Sequence, residues 1–312
     1  MLQVREQMLT GGQGVRMKSR FIPCYGSFAL RPYLKHQPAS ERGSLTGRIE
    51  HHVIHSKILG ARDLVVYLPP GYSDRDNYSY PLALLQDGQN IFDTNSSVFG
   101  VEWGADEAAE MLIVEQKMEP VILVAIYNSL HRIDEYTPFP DSQYGGGKAR
   151  LYRAFLVQEV LPFLESRYTV SKRRSERAVI GSSLGGLLTL YLGWTGSASF
   201  GLVASLSPSL WWGKRGLITA IAGQDAPADP PVIWLDAGTQ ESLVDENLNH
   251  VPDLLDDMRT LRAVLCYHGY RENVDLFYQE VDGGTHDEKS WSERIGRVFT
   301  TFFPKQDPAT RH

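Results

Sequence analysis

Gly181-Ser182-Ser183-Leu184-Gly185 matches the pattern G-x-S-x-G, with Ser183 rather than Ser182 at its centre. A serine hydroxyl is a weak nucleophile until an imidazole takes its proton, and that imidazole needs a carboxylate to fix its tautomer and stabilise its charged form. Both partners follow later in the chain. The acids lie between residues 236 and 246, and His286 stands in the glycine-flanked run Asp282-Gly283-Gly284-Thr285-His286-Asp287. Among the acids Glu241 is the first choice, because it sits in a loop free to lean toward His286. Asp236, nearer a strand end, is the second choice, and it has the alternative of satisfying backbone donors. Asp245 and Glu246 read as solvated or helix-capping residues. Such a set performs nucleophilic acyl chemistry through a covalent intermediate.

A developing oxyanion needs donors, and two backbone N–H groups are placed to supply them. One is that of Leu184, directly after the nucleophile; the other is that of Gln89, in the polar loop Gln86-Asp87-Gly88-Gln89-Asn90 that leaves a central strand. Candidate substrate contacts are Asp87 in the same loop, Arg132 and Tyr136 in the long segment 128–147, and the pair Trp211 and Trp212. Arg132 either binds a substrate carboxylate or phenolate or pairs with Glu135. The tryptophans either wall an acyl pocket or pack in the core.

These residues need a scaffold that brings distant segments to one rim. The apolar run 178–180 reads as a buried strand and 184–191 as a buried helix, so Ser183 falls on a cramped strand-to-helix turn flanked by glycines. Upstream, 48–56 and 63–68 read as strands joined at Gly60, with Pro69-Pro70-Gly71 ending the second. Further strands are expected over 82–85, 121–127, 201–206, 231–235 and 274–281. Helices are expected over 103–117, 150–167 with a kink from Pro162, 252–268 with Pro252 in its first turn, and 288–303. Segment 128–147 is read as a loop without regular structure. Alternating strands and helices predict an α/β fold with a mostly parallel central sheet covered by helices on both faces. Serine, acid, histidine is the chain order of the α/β-hydrolase fold.

With 312 residues and 42% hydrophobic content, the chain has material for one large domain. The expected division is an N-terminal extension over 1–47, draped through Phe21, Tyr25, Phe28 and Tyr33, a catalytic domain over 48–305, and a tail over 306–312. A formal charge of -6 speaks against a nucleic-acid surface, which needs clustered Lys and Arg. Cys24 and Cys266 give neither a disulfide framework nor metal-ligand spacing. His51, His52 and His55 invite a metal reading, but a solvent-facing edge strand accounts for them better. No apolar run has the length of a signal peptide or membrane span, so the expectation is a soluble cytoplasmic protein acting on a small-molecule ester. The sequence does not give its oligomeric state.

The chain resembles the putative esterase family of α/β hydrolases, whose members include enterochelin esterases, feruloyl and acetylxylan esterases, esterase D and the mycolyltransferases. The matching residues are Leu68-Pro69-Pro70-Gly71-Tyr72, Asp87-Gly88-Gln89-Asn90, Arg132 with Glu135-Tyr136, Gly181 to Gly186, Ser207-Pro208-Ser209, Gly238-Thr239-Gln240-Glu241 and Gly283 to Asp287. The resemblance implies serine carboxylic-ester hydrolysis without a cofactor, and it supports Glu241 through the G-T-x-[DE] loop of feruloyl esterases. The loop 132–136 and Ser207-Pro208-Ser209 with Trp211-Trp212 look most like the enterochelin-esterase-like branch. Acyl transfer by the same three residues, and a non-catalytic binding protein on a hydrolase fold, are the alternatives.

Overall fold

The computed structural model describes residues 46–74 and 78–306. Phe21, Tyr25, Phe28, Tyr33 and Cys24, with almost all of the expected extension and tail, lie outside the described residues. The strands in chain order are β1 (Arg48–Ser56), β2 (Gly60–Leu68), β3 (Leu82–Leu85), β4 (Ile122–Ile126), β5 (Pro140–Asp141), β6 (Gly145–Gly146), β7 (Arg177–Ser182), β8 (Leu202–Leu206), β9 (Val232–Gly238) and β10 (Leu276–Val281). The helices are α1 (Ala105–Val114), α2 (Arg132–Tyr136), α3 (Ala149–Phe155), α4 (Leu161–Arg167), α5 (Leu184–Thr195), α6 (Trp212–Ala222), α7 (Asp253–Tyr267) and α8 (Glu288–Phe302).

Eight strands form one sheet in the order β1-β2-β4-β3-β7-β8-β9-β10. β2 runs antiparallel to both β1 and β4, and every pairing from β4 to β10 is parallel. β3, β4, β7 and β8 are buried along their whole length, as strands covered on both faces must be. Side chains alternate across a strand, so Ala83, Leu85, Leu123, Ala125, Ala178, Ile180, Ala204 and Leu206 face one side. There they pack with Ala109 and Leu112 of α1 and with Ile295, Val298 and Phe299 of α8. On the other side α5 lies across β7 and β8. Small residues on the first face let α1 and α8 approach closely; the branched residues Leu82, Leu84, Val124, Val179 and Val203 fill the second. Among the described residues no helix is long and apolar enough to cross a membrane.

Five features differ from the sequence expectation. Segment 128–147 is not structureless: it holds α2 and the β5–β6 hairpin, both too short to show a period. The expected single helix 150–167 is interrupted by a π turn over Leu156–Val160. Pro162 cannot donate to the carbonyl four residues back, and the Leu161 N–H bonds Leu156 O, five residues back. β9 runs on to Gly238, so Asp236 lies inside a strand, opposite Gln279 of β10, rather than in the loop beyond it. Pro252 caps α7 from outside its first turn. His52, on the edge strand β1, is not solvent-facing but packs against Tyr168, with Nε2 2.5 Å from the phenol oxygen.

Candidate active site

β7 delivers Ser182 at its end and α5 starts at Leu184, leaving Ser183 alone between them with φ 55° and ψ −122°. Few L-residues adopt that conformation, which points Oγ up from the strand ends. It requires glycine at 181, where a Cβ would come within 2.7 Å of the Gly185 backbone. The turn is held from β8 as well. Ser183 N–H donates to Leu206 O at 3.0 Å, and Ser183 O accepts from Ser209 N–H at 3.0 Å.

Ser183 Oγ stands 3.0 Å from His286 Nε2, and His286 Nδ1 stands 2.8 Å from Glu241 Oε2. His286 sits on the loop after β10, just before Asp287, whose carboxylate caps α8 by accepting from Ser290 N–H at 2.9 Å. Trp291 of α8 meets the imidazole edge-on at 5.1 Å. A carboxylate only accepts, so the ring proton of a neutral His286 belongs on Nδ1 and leaves Nε2 to accept from the serine. Three side chains far apart in sequence therefore meet at the C-terminal edge of the parallel sheet, where such folds place their ligands.

Glu241 is 1% exposed at its side chain although it stands in a loop. Its Oε1 accepts from Ser207 Oγ and from Gly238 N–H. Asp236, the second choice of acid, is not available to His286. It is fully buried, with Oδ1 accepting from Arg294 Nη1 and Oδ2 from Trp234 Nε1, both at 2.7 Å. Burial pushes its carboxyl up to about 6, against the opposing pull of Arg294. Its partners are side chains from α8 and its own strand; the strand register turned it away from the histidine. Asp245 accepts from the N–H groups of Asn249 and His250, as a loop residue would.

Gln89 lies in a single 3₁₀ turn, Gly88–Asn90, at the end of β3, next to β7 in the sheet. Leu184 opens α5, and helix geometry leaves first-turn N–H groups without an intrahelical acceptor. The Gln89 turn is braced by Asn90, whose Nδ2 donates to Glu288 Oε1 at 3.1 Å and whose Oδ1 accepts from Val98 N–H at 3.0 Å.

The candidate substrate contacts separate. Arg132 does not pair with Glu135: its Nε and Nη2 reach the two oxygens of Asp87 at 2.6 and 2.7 Å, and its guanidinium lies 5.2 Å over the Tyr136 ring. Glu135 turns the other way, to Arg62 of β2 at 2.8 Å, in a pair 1% and 4% exposed. Tyr136 is fully buried, its hydroxyl accepting from Asp87 N–H at 3.1 Å, and Trp212 is buried with Nε1 donating to Phe139 O at 2.7 Å. Both side chains are thus buried beneath the rim, and for Trp212 this is the core packing that the sequence offered as its other reading. Trp211 is half-buried and meets Tyr144 of the β5–β6 turn at 6.0 Å. Asp87 and Arg132 remain partly open at the rim. The sequence reading missed Trp291 and Arg294, whose position on one face of α8 resembles that of any core helix, and gave Ser207 and Ser209 no role of their own. Among the described residues no cluster of His, Cys, Asp or Glu could hold a metal.

Comparison with known proteins places the chain among esterases. Residues 56–301 match the family described as "Putative esterase". The Iron(III) enterobactin esterase of Escherichia coli (strain K12) is 28% identical over 220 residues, covering 68% of this chain and 46% of that protein. The uncharacterized protein YbbA of Bacillus subtilis (strain 168) is 29% identical over 159 residues, covering 49% and 59%. The chain thus spans about half the length of these curated relatives. Among solved structures, the enterobactin esterase FES from Shigella flexneri superposes with a TM-score of 0.65 at 22% identity over 82% of this chain and 58% of that one. Siderophore hydrolase EstB from Aspergillus nidulans does so with 0.62 at 21% identity over 90% and 99%. At such identities the structural likeness speaks for the fold, an α/β-hydrolase-type sheet flanked by helices.

Proposed function

From the premise that the chain belongs to the putative esterase family, we propose that it is a serine carboxylic-ester hydrolase in which Ser183, His286 and Glu241 act together. The observation that carries this is the unbroken path from Ser183 Oγ through the imidazole to Glu241, at 3.0 and 2.8 Å, on a backbone turn that few L-residues tolerate. Oγ adds to the ester carbonyl while His286 Nε2 takes its proton. The carbonyl oxygen, now anionic, accepts from the N–H groups of Gln89 and Leu184. The imidazolium then protonates the leaving alkoxide, and water, activated by the same nitrogen, releases the acid from Ser183. Each oxyanion donor in such a site is typically worth roughly 2.7–4 kcal/mol to the transition state.

The same reading assigns the chemistry to residues 48–305 and the substrate to the siderophore-type esters named for several relatives. Arg132, tied to Asp87, stands at the rim where the acyl part would enter. The test is labelling with a fluorophosphonate, followed by turnover of a catecholate lactone, a hydroxycinnamoyl ester, an acetylated sugar and a short aliphatic ester. The wild type should label and the Ser183→Ala variant should not; equal labelling of the two would refute the assignment. Preference for the lactone would support the siderophore class, and preference for any other ester would replace it.

A further inference from the structure

We propose that Ser207 is a positioning residue: its hydroxyl holds Glu241 in one orientation as a pure acceptor and thereby fixes the tautomer of His286. The proposal rests on the reading of Ser183, His286 and Glu241 as the reacting set.

Ser207 is fully buried at the end of β8, with its backbone N–H donating to Asp236 O at 2.7 Å. Its Oγ has three polar neighbours: Glu241 Oε1 at 2.5 Å, Trp291 Nε1 at 2.9 Å and Arg294 Nη2 at 3.3 Å. An indole N–H and a guanidinium can only donate, and a hydroxyl carries one proton. Both lone pairs of Ser207 are therefore taken by donors, and its proton has a single destination, Glu241 Oε1. With Gly238 N–H on the same oxygen, the carboxylate is held by two donors on one side, and Oε2 is presented to His286 Nδ1. Trp291 serves both ends of this relay, through Nε1 on Ser207 and through its ring against the imidazole.

The backbone points the same way. Ser207 has φ 46°, in the left-handed region that favours glycine, so a serine is held there at a conformational cost that a hydroxyl with three partners offsets. The charges that face Glu241 and His286 are Arg294, 3.6 Å from Glu241 Oε1, Asp236 on β9, and Asp287 and Glu288 at the start of α8. None of them reaches Glu241 as a neutral donor, which leaves that task to Ser207 and Gly238.

The test compares wild type with Ser207→Ala, Ser207→Gly and Trp291→Phe. The glycine variant relieves the backbone and so guards against simple misfolding of the alanine one. Nitrogen and proton NMR of His286 would read its tautomer directly, with His286→Asn to assign the signal. The wild type should show a single Nδ1–H tautomer with a slowly exchanging low-field proton. In both Ser207 variants that proton should exchange rapidly, and kcat should fall roughly ten- to a hundred-fold, the loss expected when one hydrogen bond to a charged group goes. KM should stay within about twofold, because no ligand contact is removed. Trp291→Phe, which keeps a ring beside the imidazole and deletes only the donor, should show the same NMR change in weaker form. An unchanged His286 signal in Ser207→Gly would overturn the proposal. If no ester is turned over by the wild type, the proposed function fails, yet the NMR comparison still decides whether Ser207 sets the tautomer.

Discussion

The conformation of Ser183 makes a stability prediction that runs against the usual order of substitutions. At φ 55° and ψ −122° the residue occupies a region that L-amino acids reach only at a cost, on the order of 1–3 kcal/mol. Ser183→Ala keeps a Cβ and keeps that cost; Ser183→Gly removes it. Glycine in turn loses more freedom on folding, by roughly 0.5–1 kcal/mol relative to alanine. Both variants lose the same hydroxyl contacts, to His286 at 3.0 Å and Ser209 at 3.3 Å, so these cancel in the comparison. The glycine variant should therefore be the more stable of the two by about 0.5–2 kcal/mol, with neither showing esterase activity. Urea unfolding followed by circular dichroism would measure it, provided both variants share one m-value, so that a shift in midpoint is a shift in stability. An alanine variant as stable as the glycine variant, or more so, would show that the turn stores no strain and would refute the reasoning.

Two further perturbations test the surroundings. Replacing Glu135 with Leu leaves Arg62, 1% exposed, without its carboxylate, and should destabilise the fold by about 3–5 kcal/mol in denaturant titrations, with Glu135→Gln losing less; a loss below about 1 kcal/mol would contradict a buried pair. On α1, burial, with Glu107 and Glu102 beside it, pushes the carboxyl of Asp106 up to about 9. The unfolded chain releases that proton near ~4 and the folded one only near 9, so this group draws stability down as pH rises between the two, by at most about 1.4 kcal/mol per pH unit. Asp106→Asn should flatten that decline and exceed the wild type in stability at pH 8, as read from unfolding midpoints across pH; an unchanged slope would argue against it.

Much of the scaffold could be read from the chain because its signals are local. The strand 82–85 and the helix after Ser183 are defined by runs of adjacent apolar residues, and Gly181 and Gly185 announce a turn that admits no side chain. The positions of Ser183, Glu241 and His286 followed from their places after strand ends, and the structure brings them within hydrogen-bonding distance. What stayed hidden was set by partners remote in sequence. Nothing near Arg132 indicates that it would choose Asp87 over Glu135, because that depends on Arg62 of β2 claiming Glu135 first. Asp236 looked like a loop acid until pairing with β10 extended β9 past it. Tyr136 and Trp212 have the composition of a binding wall, and only their packing shows that both are buried. Trp291 and Arg294 read as the inner face of an ordinary amphipathic helix, though their polar atoms converge on Ser207.

The order of strands also governs how the chain arrives at this state. β3 occupies the middle of the sheet, yet its neighbours β4 and β7 both come later along the polypeptide, one of them beyond several intervening helices. Its Leu-Ala-Leu-Leu segment must wait, apolar and unpaired, while long stretches of chain lose their freedom before any pairing rewards them. The nucleophile turn is anchored to the end of β8, so it takes shape only after that wait is over. Refolding from denaturant is accordingly expected to be slow and concentration-sensitive, with self-association of half-assembled sheets as its competitor, which stopped-flow refolding at several protein concentrations would check.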